Sequence, residues 1–174
     1  SYAGFVNAED ATNLTGTLSI SKVPGESVGT YAITASGFTS TNYALTYTAG
    51  TFTITSKSVT DTDITIASIA DLVYTGLGQT PSPAVQDGAT VLVADTDYTL
   101  SYADNTNVGT ATITITGIGN YTGTKDVTFD ITPAALTITA EDKSKEFGEV
   151  DPALTVSYAG FVNAEDATNL TGTL

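Results

Sequence analysis

The segment SYAGFVNAEDATNLTGTL fills residues 1–18 and returns without a change as residues 157–174. Shared propensity does not reproduce eighteen residues without error, so the chain holds one period of 156 residues and the start of another copy. Its fold must therefore be compatible with tandem repetition. A weaker repeat lies inside the period. VGTYAIT (28–34) matches VGTATIT (108–114), Asn42-Tyr43 matches Asn120-Tyr121, and Phe52-Thr53-Ile54-Thr55 matches Phe129-Asp130-Ile131-Thr132. Two related domains per period follow. One is complete, at 57–133. The other is cut in half, with its N-terminal part at 134–174 and its C-terminal part at 1–56. Junctions of a few residues, one of them carrying Pro133, predict a stiff rod, and neither end of the chain is expected to be a natural boundary.

Apolar residues alternate with Thr at period two in 51–55, 111–116, 126–132 and 136–139, the pattern of strands with one dry and one wet face. Thr accounts for 35 of the 174 residues, as a β-branched residue suited to a pleated surface. Turn signals such as Pro24-Gly25, Asp87-Gly88 and Asp151-Pro152 punctuate these runs. The pattern predicts an all-β chain of small Ig-like β-sandwich domains in tandem. One short helix is expected at Asn7–Leu14 and again at Asn163–Leu170, with Asn7 as its cap.

Composition removes several function classes. Cys, His, Met, Trp and Arg are absent, so there is no thiolate nucleophile, no imidazole base, no usual zinc site and no disulfide framework. Cysteine-free tandem domains suit bacterial export. The net charge of −14 excludes nucleic acid as a partner and disfavours anionic membranes. The same acidity supports solubility and keeps neighbouring fibres apart. There is no run of about 18 apolar residues, so no membrane insertion by a helix of this segment is expected.

Asp61-Thr62-Asp63 and Asp95-Thr96-Asp97 place carboxylates two apart, a spacing that serves a hard cation such as Ca²⁺ at a domain junction. The twelve-residue calcium loop is missing around both, and they read as solvated surface acids. Glycoside hydrolysis by paired carboxylates needs a deep aromatic cleft that Trp-free domains of this size rarely form. The tyrosines at 31, 43, 47, 74, 98, 102, 121 and 158 read as packing and edge residues rather than a sugar platform. An isopeptide crosslink from Lys125 or Lys143 is the remaining chemistry weighed. No catalytic, cofactor-binding or metal-binding residue is assigned. The positions that matter are core and turn residues: Val28, Gly29, Tyr31, Val108, Gly109, Phe129, Phe147 and Phe161. Gly29 and Gly109, at matched positions, predict a backbone conformation or a close approach that a side chain would obstruct.

Residues 136–148 (LTITAEDKSKEFG), Asp151–Leu154, Gly160–Asn163 and Glu165-Asp166 resemble the MBG domain of bacterial surface adhesins, as do Val28–Thr34 and Asn42-Tyr43. That family usually has Tyr where this chain has Phe147. Tyr74-Thr75-Gly76, Asp97–Tyr102, Asn107–Thr110 and Gly119–Gly123 resemble the related YDG-type, Ig-like repeat. The resemblance implies a non-enzymatic stalk repeat of a large extracellular, cell-surface adhesin. Its partners would be adjacent copies of the repeat, with other parts of the parent protein meeting a host or environmental surface. Two alternatives stand beside it: a subunit of an extracellular filament joined by completion of split domains, and a weak glycan- or protein-binding module.

Overall fold

Alternation of apolar residues with Thr yields fourteen strands among residues 2–172, the part of the chain that the computed structural model describes. The chain is all-β and divides into two compact units, Ser1–Lys57 and Ser58–Leu174. Residues 134–172 thus lie in the second unit, together with 58–133.

In the first unit β1 (Thr15–Lys22), β2 (Gly29–Thr39) and β3 (Gly50–Ile54) form one antiparallel sheet in that order. One extra residue in β1 between Gly16 and Ser19 makes a bulge against β2. None of the described residues of this unit is fully buried. A one-layer sheet explains this: apolar faces disappear from water only against another layer. Ile20 remains 64% exposed. Lys22 covers part of the sheet instead, its Nζ 4.9 Å from the Tyr31 ring centroid and 5.1 Å from that of Phe52.

After β4 (Lys57–Ser58), the second unit holds β5 (Ile64–Ile66), β6 (Leu72–Val73), β7 (Val85–Asp87), β8 (Thr90–Val91), β9 (Tyr98–Ala103), β10 (Gly109–Gly117), β11 (Tyr121–Thr122), β12 (Thr124–Thr132), β13 (Thr137–Ala140) and β14 (Val156–Ala159). A four-stranded sheet runs β6-β12-β10-β9 and a three-stranded one β5-β7-β8. Strand β10 buries Ala111, Ile113 and Ile115 on one face. Ile115 packs with Ile64, Val85, Leu92 and Tyr98, while Ala111 and Ile113 pack with Phe129 and Ile131. The other face carries cross-strand pairs: Thr110 donates to Asp130 at 2.7 Å and Thr114 to Asp126 at 2.6 Å.

The weak internal repeat reappears as register. Gly29 stands opposite Ile54 and Tyr31 opposite Phe52, just as Gly109 stands opposite Ile131 and Ala111 opposite Phe129. Gly29 (φ 154°) and Gly109 (φ 141°) both adopt a backbone that side chains disfavour, and a Cβ at either would meet open space. The constraint at both is therefore conformational and not steric.

Two expectations change, for the helix and for Phe147. The helix over Asn7–Leu14 is a 3-10 turn at Ala11–Asn13, repeated at Ala167–Asn169. Asn7 and Ala8 have φ of 53° and 60°, and Asn163 and Ala164 50° and 59°, left-handed values that a right-handed helix cannot include. Asp10 and Asp166 cap the turns in place of Asn7 and Asn163. Val28 and Val108 are substantially exposed, flanking the sheet as turn residues outside any core. Phe147 is fully exposed, with Val150 and Leu154 beside it in sequence, because the connection between β13 and β14 has no covering layer among the described residues.

Chemical denaturation should separate the two kinds of apolar residue. Ile113→Ala is expected to cost about 2–5 kcal/mol, as for a packed core site. Ile20→Ala should stay within about 0.5 kcal/mol. Equal losses would contradict the one-sided distribution of the core.

Candidate functional site

The repeated segment carries its own local fold. In the first copy the Thr12 N–H donates to Asp10 Oδ1 at 2.8 Å and the Asp10 N–H donates to Asn13 Oδ1 at 2.9 Å. In the second copy Thr168 and Asp166, and Asp166 and Asn169, repeat both bonds at the same distances. These reciprocal bonds form a capping box. A left-handed Asn-Ala step just before the box turns the chain sharply, and Glu9 or Glu165 is held between the two.

Each of these glutamates accepts a tyrosine hydroxyl. Tyr43 donates to Glu9 Oε2, and its oxygen accepts from the Val6 N–H at 3.2 Å. Its ring meets Phe5 edge-on, with centroids 5.4 Å apart. In the second copy the hydroxyl comes from a tyrosine at an unrelated position. Tyr74, just after β6, donates to Glu165 Oε1 at 2.5 Å. Asn163 adds a bond from Nδ2 to Gly76 O at 3.0 Å. A Cβ on Gly76 would collide with Asn163, so this close approach needs glycine. Tyr158 lies 5.6 Å from Phe161. Beside Glu165 an open cleft of about 420 Å³ is lined by Tyr74, Val108, Pro133, Leu136, Phe161 and Leu170, among others.

The other candidate residues have structural roles. Asp61 Oδ1 accepts the Asp63 N–H at 3.2 Å, and Asp63 O accepts from Gly88 N at 3.0 Å. Asp97 Oδ2 accepts the Val93 N–H at 2.8 Å, closing the turn in which Asp95 has φ 63°. Among the described residues no group of three His, Cys, Asp or Glu side chains is placed to hold a metal. Lys143 pairs with Glu141 at 3.0 Å. Tyr98 is buried, and the hydroxyls of Tyr31, Tyr47 and Tyr102 donate to backbone carbonyls of Ser27, Phe38 and Pro81. Phe129 is buried, and Phe161 and Tyr31 are half-buried. The glutamate–tyrosine pairs escaped the sequence reading, since Glu165 and Tyr74 are far apart in the chain.

Hydrogen bonding to a carboxylate raises Tyr43 and Tyr74 above their ordinary value of 10.0, because ionisation would destroy the bond. Their contribution to stability is complete below pH 10 and disappears as pH rises through the raised values. Asp10 and Asp166 are held below 3.8 by Thr12 and Thr168, so their contribution is complete above 3.8 and disappears on acidification below it. Spectrophotometric titration of tyrosinate should show Glu165→Gln advancing one ionisation toward pH 10. A superimposable curve would count against the Tyr74 bond.

The sequence profile of the MBG domain (YGX type) family matches residues 1–53 and 136–174, so both copies of the repeated segment fall inside matched stretches. No curated protein and no solved structure matches the chain. Together the two matched stretches cover just over half of the sequence, and the chain belongs to the MBG domain (YGX type) family.

Proposed function

We propose that this chain is a non-enzymatic structural repeat of a large bacterial surface adhesin, located outside the cell and stacked end to end as a stiff fibre. The observation that carries this reading is the repeated segment. Two identical stretches fold to the same capped turn and each engages a tyrosine hydroxyl, so the period is built to be joined to more of itself. In this reading residues 57–133 are a YDG-type domain, and 134–174 and 1–56 are the two parts of the MBG domain. Carriage of a binding tip away from the cell then requires no reactive residue in this segment. Its partners are neighbouring repeats, and contact with a host or environmental surface belongs to other parts of the parent.

A second reading is favoured by one observation. Phe147, Val150 and Leu154 are left in water between β13 and β14, and a hairpin with such a flank is poised to complete a sheet elsewhere. A filament subunit joined through split domains would use it.

Small-angle scattering on proteins of one, two and three periods tests the stalk. The maximum dimension should grow by a constant increment per period. Growth with roughly the square root of length, as for a flexible linker, would reject the stiff fibre.

A further inference from the structure

The cleft beside Glu165 and the covered surface beside Glu9 are made by the same sequence. Their backbones match at the left-handed step and at the cap. Their surroundings differ. Beside Glu9, Tyr43 fills the space over Phe5, and Leu14 is half-buried. Beside Glu165, Tyr74 supplies a hydroxyl, the cleft of about 420 Å³ stays open, and Leu170 is 39% exposed. What one copy holds, the other is shaped to hold. Each glutamate carries one tyrosine hydroxyl on one of its two equivalent oxygens. One carboxylate can accept two hydroxyls.

We propose that this cleft takes the Asn42–Leu45 loop of a second copy of the chain. The Tyr43 ring stands against Phe161 as it stands against Phe5, and its hydroxyl bonds the remaining oxygen of Glu165. Leu45, two residues after Tyr43 and partly exposed, supplies apolar surface against the cleft. Tyr43 leaves Glu9 and Phe5 for Glu165 and Phe161, the same residues of the repeated segment with Tyr74 already on the carboxylate, so the drive comes from closure of the apolar cleft. The loop belongs to the first unit and the cleft to the second, so each contact joins unlike patches of two copies. The inference rests on neighbouring copies being one another's partners.

Sedimentation velocity on the 174-residue chain up to about 1 mM, a range in which weak contacts populate, should show reversible species larger than the monomer. Glu165→Ala is expected to lower the association constant at least about tenfold. Tyr43→Phe, which keeps the ring, should lower it too. Glu9→Ala should raise it, because it releases Tyr43 from its own acceptor. Thermal unfolding of each variant checks that the fold is retained. A strict monomer, compaction without a change in mass, or equal responses to Glu9→Ala and Glu165→Ala would each overturn the docking. A strict monomer whose multi-period forms still lengthen by constant increments would overturn the docking and leave the stalk reading standing.

Discussion

Burial of alternate residues on β10 and β12 is the interaction on which the rest of the molecule depends. The buried core residues fall between Val59 and Ile131, and both apolar clusters include β10 residues. With no disulfide to restrict the unfolded chain, this burial is the main source of stability for the second unit. The first unit has the sheet without a second layer, and its apolar residues remain partly wet. A similar strand pattern therefore gives a packed domain at one place and a thin sheet at the other. The difference is set by which chain segments are present to cover the face.

The acidic surplus has a local use that net charge conceals. Asp126 and Asp130 accept threonine hydroxyls across a strand pair, Asp10 and Asp166 cap turns, and Glu9 and Glu165 accept tyrosines. In a chain with 19 acids and five lysines, hydroxyls take the place of missing cations as partners. Such bonds need no opposite charge and survive salt better than surface ion pairs.

Most of the architecture was legible because it is local. Period-two alternation locates β10, β12 and β13, and the match of VGTYAIT to VGTATIT sets Gly29 and Gly109 at equivalent positions, which the structure places opposite Ile54 and Ile131. A helix capped by Asn7 does not form at 7–14, because Asn also favours left-handed backbone, and the spacing of Asp10 and Asn13 encodes the box. Phe147 departs from expectation for a different reason. Its residue type and motif both suggest packing, but a side chain is buried only if another layer arrives, and sequence alone does not count layers. The acceptors of Tyr43 and Tyr74 are long-range pairings, which no periodicity reports.

The short parallel pairing of β6 with β12 has a mechanical meaning. Ile131 and Thr132 lie beside Leu72 and Val73, the Tyr74 N–H donates to Thr132 O at 2.8 Å, and the Thr132 hydroxyl donates to Leu72 O at 3.2 Å. Tension that enters the chain ahead of Leu72 and leaves beyond Thr132 pulls these two strands along their length in opposite directions. Bonds that cross such a pair are sheared together instead of being unzipped one after another. A slip between these two strands under such a load is then concerted, and it bares Ile131 at the end of the buried face.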